Sequence, residues 1–268
     1  MNRYVALLLL VLGSLIVGCI HANEHTISLP NMTKASTVAL VETVDGESHV
    51  YCGGVWVNED EFVTARHCVA GAAIQRVLAK MSPRDRFIAM MTGIGLPDPS
   101  DEALVGLDIT YTSEDDMAEV DEEPIRSFAG TVTALDKARD IAVVKVDHSA
   151  QPRHRVATIA WSIPATGEEV VIVGHTIGLH WTYMKGTVSG IRKRLFDTDD
   201  EDKKIGPFIQ IVAPVFKGNS GGGAFDKNGR LIGIASFIVR APNQSFFVHA
   251  DTIHEFLKKN NVRHNYGR

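Results

Sequence analysis

Gly218-Asn219-Ser220-Gly221-Gly222-Gly223-Ala224-Phe225-Asp226-Lys227-Asn228-Gly229-Arg230-Leu231-Ile232-Gly233-Ile234 carries two messages in one stretch. Its second half is a hairpin signal. Asn228-Gly229 is a turn dipeptide that tolerates positive φ, and apolar runs flank it on both sides. Its first half sets one serine among four glycines. Glycine loses more conformational freedom on folding than any other residue, so this loop is costly unless its backbone must turn tightly. A tight turn could aim N–H groups at an oxygen held beside the Ser220 hydroxyl. A glycine-rich β-turn with an incidental serine has the same local composition, so the rest of the chain must decide.

Outward from this stretch the chain reads as short apolar or alternating runs separated by Gly, Asp, Asn and Pro. Thr37–Thr43, Val50–Val57, Glu61–Ala65, Ser127–Leu135, Ile141–Val146, Glu169–Val173, Pro207–Val212 and Arg230–Val239 are rich in Val, Ile, Thr and Phe, as strands are. Many short strands with no helices between them imply an all-β fold of antiparallel barrels or sandwiches. One helix is expected near the C-terminus. Thr252-x-x-Glu255 is a capping box, Ile253, Phe256 and Leu257 share a face, and Lys258 and Lys259 suit its C-terminal end. A shorter helical turn is expected from Val69 to Ala73.

Composition excludes some classes. The 268 residues are 45 % apolar and 22 % charged with a net charge of −5, ordinary for a globular protein and no footprint for nucleic acid. Met1-Asn2-Arg3 followed by the apolar run Tyr4 to Gly18 has the pattern of a secretory signal, and about 15 apolar residues is short for a membrane span. Leu15-Ile16-Val17-Gly18-Cys19 resembles a bacterial lipobox. Residues 1–18 are therefore read as a lipoprotein signal peptide, with Cys19 lipidated and the protein held on a membrane surface of the cell envelope. Cleavage after Ala22, releasing a soluble exported protein, is the alternative. Residues 19–34 form a polar linker, and the folded domain is placed at 35–268. With Cys19 lipidated, Cys52 and Cys68 remain. They could pair in an oxidising compartment or stay as two reduced core cysteines.

From Pro97 to Pro124 there are eleven Asp or Glu and no Lys or Arg. The segment is read as a solvated acidic loop in which Ala103–Thr112 could still be a strand. Its carboxylates miss the EF-hand spacing, so no metal is assigned to it. Arg192 to Lys204 is a second charged loop.

A serine hydroxyl needs a neighbouring base, usually a histidine whose other ring nitrogen is held by a carboxylate. Among eleven histidines, His67 stands out at the end of the strand Phe62-Val63-Thr64-Ala65, with Cys68 next to it and Cys52 upstream. The carboxylate candidate is Asp140, directly before Ile141-Ala142-Val143-Val144-Lys145-Val146. Taken alone it is an ordinary strand-capping aspartate.

Together the blocks carry a resemblance. Thr64-Ala65-Arg66-His67-Cys68, Asp140-Ile141-Ala142-Val143-Val144-Lys145 and Gly218-Asn219-Ser220-Gly221-Gly222, in that order, resemble the three catalytic blocks of chymotrypsin/trypsin-like serine proteases. Val173-Gly174-His175-Thr176-Ile177-Gly178-Leu179, Gly186-Thr187-Val188-Ser189-Gly190 and Phe208-Ile209-Gln210 are similar to bacterial HtrA (Deg) proteases. The resemblance spans roughly residues 35–258. It implies two six-stranded antiparallel β-barrels, chymotrypsin-like, with the site between them. It implies His67, Asp140 and Ser220 as the catalytic triad and the Gly218 and Ser220 amides as the oxyanion hole. It also implies a Cys52–Cys68 disulfide beside the histidine loop. Ser236 matches a serine that lies near the triad aspartate, and Pro214, Val215, Ser236, Phe237 and Ile238 would line the substrate groove. The partner would be a protein or peptide substrate, with no cofactor and no metal.

Departures from the family sharpen these expectations. Arg66 stands where alanine is commonest and Gly223 where proline is usual, which implies altered packing only. Asn219 replaces the aspartate that pairs with a new N-terminal ammonium in digestive zymogens, so no activation of that style is expected. The chain ends at Arg268, so no PDZ domain is expected. Pro214 stands where enzymes with basic specificity have aspartate, and Ala213 to Phe216 is apolar. A small or medium apolar residue is expected at the cleavage site. A catalytically silent module that binds peptides or partners, with the acidic loop as contact surface, is the competing class. Such homologues usually lack the nucleophile or the base, and here no triad member is missing.

Overall fold

The computed structural model describes residues 27–44, 47–70, 106–111, 127–146, 154–194, 205–239 and 243–267. The signal, Cys19, Ala22, most of the acidic segment 97–124 and residues 195–204 lie outside them. No helix among the described residues is long and apolar enough to cross a membrane.

Strands β1 (Thr37–Val44), β2 (Glu47–Trp56), β3 (Glu61–Thr64), β4 (Gly106–Tyr111), β5 (Ser127–Asp136) and β6 (Ile141–Val146) close into a barrel in the order β1-β2-β3-β6-β5-β4. The second sheet contains β7 (Thr158–Ala160), β8 (Glu169–Gly174), β9 (Thr182–Arg194), β10 (Ile205–Val212), β11 (Gly223–Phe225), β12 (Leu231–Ile238), β13 (Gln244–His249) and β14 (Asn265–Gly267). Its order is β11-β8-β9-β10-β13-β12-β7-β14, and β11 also pairs with β12. That extra pairing closes six of the strands into a second antiparallel ring. The two barrels implied by the resemblance are present. The short strands β7 and β14 are added to β12 in parallel, which the sequence did not announce.

Burial on both faces explains the apolar runs. Trp56, Phe62, Ala142 and Val144 fill the first barrel. Their neighbours Val55, Val63, Ile141 and Val143 face the other way, into a cluster with Val171, Val173, Phe208, Phe225 and Ile234 of the second barrel. A strand buried on both sides loses the clean polar alternation of a half-exposed one. The second barrel has its own interior, including Ile172, Ile209, Ile211, Ile232 and Phe247.

Helix α1 (Leu29–Ala35) occupies the stretch read as a polar linker. Ser28 caps it, with its side chain accepting the Asn31 N–H at 3.5 Å, and Pro30 lies in the first turn, where a missing N–H costs nothing. Helix α2 (Ala250–Lys259) is the expected C-terminal helix, but the capping-box reading is corrected. His249 is the cap, its Nδ1 accepting the Asp251 N–H at 3.1 Å, while Thr252 is buried inside the first turn. Ile253, Phe256 and Leu257 pack into the inter-barrel cluster, so α2 sits where the barrels meet. The turn expected from Val69 begins earlier, with residues 66–70 helical. Helical residues 66–70 therefore include His67.

Cross-barrel hydrogen bonds join the same interface. His175 is fully buried, its Nδ1 accepts the Trp181 N–H at 3.2 Å, and its Nε2–H donates to the Val38 carbonyl at 3.1 Å. The Trp181 indole N–H donates to the Thr37 carbonyl at 3.1 Å. Burial pushes the His175 pKa from 6.5 down to about 3, so the ring is neutral in the folded protein. Between these values the unfolded chain binds a proton that the folded protein refuses. Stability from this site is complete above pH 6.5 and is lost as pH falls toward about 3. The slope is about 1.4 kcal/mol per pH unit for one proton. Urea midpoints at pH 7, 6, 5 and 4 should fall with this sign, and His175→Gln should show a shallower fall. Parallel pH profiles for the two proteins would refute the assignment.

Candidate active site

The turn between β5 and β6 delivers Asp140. Asp136 shapes it, accepting the Arg139 N–H at 3.0 Å and the Arg139 guanidinium at 2.9 Å. Asp140 itself has φ 54, a left-handed conformation that aspartate tolerates better than most residues. This swings its carboxylate back toward the helical residues that follow β3. The Asp140 carbonyl accepts the Arg66 N–H at 3.2 Å, and Oδ1 accepts the His67 N–H at 3.0 Å. The His67 ring Nδ1 lies 3.1 Å from Oδ1 and 3.0 Å from Oδ2. A carboxylate only accepts, so Nδ1 carries the proton and Nε2 keeps a free lone pair. The Ser236 hydroxyl donates to Oδ2 from β12 of the second barrel. The Asp140 side chain is 3 % exposed and that of His67 40 %, so the carboxylate is desolvated while the ring stays open to a reactant.

The serine loop is a run of tight turns. Asn219 N–H donates to the Phe216 carbonyl at 3.3 Å, Gly222 N–H to Asn219 at 2.9 Å, and Gly221 N–H to Ala235 at 2.7 Å. Gly218 and Gly221 have φ 94 and 78. A Cβ at Gly218 would run into the His175 carbonyl, and one at Gly221 into the Gly53 carbonyl and the Thr64 hydroxyl. Both positions thus need glycine for conformation and for space. The Ser220 carbonyl accepts the Gly53 N–H at 2.7 Å, tying the loop to β2 of the first barrel. Among the described residues, the Gly218 and Ser220 amides donate to no acceptor.

His67 and Ser220 line one groove of about 330 Å³, together with Val215, Phe216, Lys217, Ala235, Ser236, Phe237, Ile238, Ser245 and Phe246. The Ser220 hydroxyl makes no hydrogen bond among the described residues. Such contacts are often long before substrate binds. Of the five residues expected to line the groove, Val215, Ser236, Phe237 and Ile238 do so. Pro214 is exposed and outside this lining. Sequence reasoning missed Ser245 and Phe246, which β13 brings to the groove. Their run Gln244-Ser245-Phe246-Phe247-Val248-His249 is strand-like in composition and was the available signal. Cys52 and Cys68 form a disulfide with Cα atoms 6.0 Å apart. Among the described residues the one cluster within metal-ligand range is Cys52, His67 and Cys68, and the disulfide commits two of its members. Arg66 is 8 % exposed, and its Nε and Nη2 have no partner among the described residues.

Two closed barrels with a histidine–aspartate pair and a glycine-set serine in one groove define a class, the trypsin-like serine proteases. The family model for the trypsin-like peptidase domain matches residues 52–234, and the chain belongs to that family. An HtrA-like serine protease of Staphylococcus aureus strain MRSA252 is 30 % identical over 142 residues, covering 50 % of this chain and 18 % of that protein. The match thus spans less than a fifth of that relative's length. The fold is shared with the active form of the Rv3671c protease from M. tuberculosis, at TM-score 0.62 and 19 % identity over 90 % of this chain and 87 % of that one. It is also shared with Deg5, at TM-score 0.56 and 22 % identity over 85 % and 89 %.

The Ser236 bond to Asp140 generates a test. A hydrogen bond to a buried charge is worth about 1.5–3 kcal/mol, and Ser236→Ala should destabilise the fold by that amount in urea unfolding. A change below about 0.5 kcal/mol would show that the carboxylate does not depend on this hydroxyl.

Proposed function

We propose that the domain is an endopeptidase that hydrolyses peptide bonds through an acyl-enzyme formed on Ser220. The observation that carries this reading is the grip of Asp140 on both the backbone N–H and the ring Nδ1 of His67, in a groove that Ser220 shares. In the proposed mechanism Nε2 of His67 takes the Ser220 proton as Oγ attacks the carbonyl carbon. Asp140 fixes the tautomer and stabilises the imidazolium. The Gly218 and Ser220 amides receive the oxyanion. Protonated His67 then gives its proton to the leaving amine, and water repeats the sequence to release the acid. Apolar lining by Val215, Phe237, Ile238 and Phe246, with no carboxylate in it, favours a small or medium apolar residue before the scissile bond. A lysine or arginine there would bury an unpaired charge.

The test is covalent labelling. A fluorophosphonate probe should label the folded wild type, and neither Ser220→Ala nor heat-denatured protein should react. Asp140→Asn should lower kcat by about 10,000-fold on any peptide the wild type cleaves. An unlabelled wild type, or a labelled Ser220→Ala, would sink the endopeptidase reading.

We further propose that the domain acts outside the cytoplasm on a lipid anchor at Cys19, with residues 1–18 removed, the part of the 19–34 linker ahead of helix α1 as a tether and the protease domain beginning at α1. The signal-like run and the lipobox support this. Mass analysis of the mature N-terminus should find acylated Cys19. An unmodified chain beginning at Asn23 would overturn it.

A further inference from the structure

The serine loop is fastened to the segment between β8 and β9 at points that the proposed chemistry does not use. The Ile177 N–H donates to the Lys217 carbonyl at 2.9 Å. The Thr176 hydroxyl donates to Asn219 Oδ1 at 3.1 Å and accepts from Asn219 Nδ2 at 3.0 Å. Asn219 is fully buried, and the same Nδ2 donates to the Phe216 carbonyl at 3.2 Å. Its side chain therefore joins the approach to Ser220, at Phe216, to Thr176 of the fastening segment.

The fastening segment is itself held in a conformation it would not choose. Ile177 sits at φ 48, ψ 35, in the left-handed region where a β-branched residue is an outlier. The residue is 73 % exposed, so burial does not compensate for the strain. The hydrogen bonds of this turn do.

The geometry has a directional consequence. In a trans peptide the C=O and N–H point opposite ways. With the Lys217 carbonyl turned to Ile177, the Gly218 N–H is turned to the other side, away from this segment. Rotating the 217–218 peptide would break the Ile177 bond and swing a carbonyl oxygen to the side the amide now occupies. A carbonyl there would repel the charge that the Gly218 amide is assigned to receive.

We propose that Thr176 and the Ile177 amide form an uncharged latch, closed on Asn219 and Lys217, that keeps the oxyanion-binding peptide in its productive orientation in the resting protein. The proposal rests on the assignment of Gly218 and Ser220 as the oxyanion hole. Thr176 is a positioning residue, since it touches neither substrate nor reacting atoms. It does with a neutral hydroxyl–amide pair what a buried ion pair could also do, without the desolvation of two charges.

Thr176→Val keeps the shape and removes the hydroxyl. Losing an oxyanion donor outright costs about 100- to 1000-fold in rate, and a latch that fails part of the time should cost about 10- to 100-fold in kcat with KM within about threefold. Thr176→Ser should recover most of the loss, and the urea midpoint, which Thr176→Val lowers by leaving the buried Asn219 amide unpaired, should recover with it. The latch is overturned by an unchanged kcat, by a loss confined to KM, or by a kcat loss that tracks a lowered urea midpoint and is not rescued by serine. If Thr176→Val does not fold, hydrogen exchange on the wild type decides. The Ile177 amide should be protected both before and after phosphonylation of Ser220. Exchange at the rate of an open amide in the unreacted protein would overturn the latch. Fluorophosphonate labelling separates this proposal from the one beneath it. A wild type that takes no label defeats the protease reading, whereas a labelled wild type with an indifferent Thr176→Val defeats the latch alone.

Discussion

One hydrogen bond holds the molecule to its purpose, the 2.7 Å contact from the Gly53 N–H to the Ser220 carbonyl. It joins the serine loop of the second barrel to β2 of the first, at the residue after Cys52. From Gly53 the connection runs two ways. Its carbonyl accepts the Thr64 hydroxyl at 2.6 Å, which fixes the end of β3 just before His67. Through Cys52 the disulfide fixes Cys68, on the other side of His67. Closing a loop of sequence separation 16 contributes roughly 3 kcal/mol in the chain-entropy picture. Histidine and serine come from different barrels, yet each is referenced to the same glycine. This close approach is also why Gly221 can carry no side chain: a Cβ there would strike the Gly53 carbonyl and the Thr64 hydroxyl.

The rest of the interface makes that reference rigid. Val55, Val63, Ile141 and Val143 from the first barrel share one apolar cluster with Val171, Val173, Phe208 and Ile234 from the second. Burying this apolar surface stabilises the contact between the barrels and opposes unfavourable local features of the backbone. Among those features are Asp140 at φ 54, Ile177 at φ 48 and Trp181 at φ 45. Each is over-determined by its partners. Asp140 is held by Arg66, His67 and Ser236, and Trp181 by His175 and Thr37. Strain of this kind costs about 1–3 kcal/mol per residue and persists only where the surroundings fix it.

What the sequence made legible follows from the same physics. Runs such as Ile141–Val146 and Glu169–Val173 read as strands because β-branched residues fill both of their faces. The order of His67, Asp140 and Ser220 was legible because it needs only three short blocks in sequence. The long β9 was harder, since Lys185, Arg192 and Lys193 interrupt its pattern with exposed charge and Gly186 and Gly190 read as breakers. The strands β7 and β14 hold three residues each and exist through parallel pairing to distant partners, which no local pattern encodes. Thr252 misled as a cap for a related reason. His249 can also accept an amide proton, and tertiary packing of Ala250 and Ile253 starts the helix sooner.

The groove that His67 and Ser220 share shows why position along the chain is a poor guide to what lines it. Pro214, which the resemblance places in the groove, is left in solvent by the turns between it and Ser220. The wall that sequence reasoning missed is set by register. β12 pairs with β13 so that Phe237 lies opposite Phe246 and Ile238 opposite Ser245, with an irregularity between Ala235 and Phe237. The two phenyl rings stack at 4.8 Å and 5°. At the irregularity Ser236 bonds Asp140, and Ser236, Phe237 and Ile238 all reach the groove. One local departure from regular pairing thus serves both the carboxylate and the groove. A substitution that restores regular pairing there would be felt at Asp140 and at the groove together.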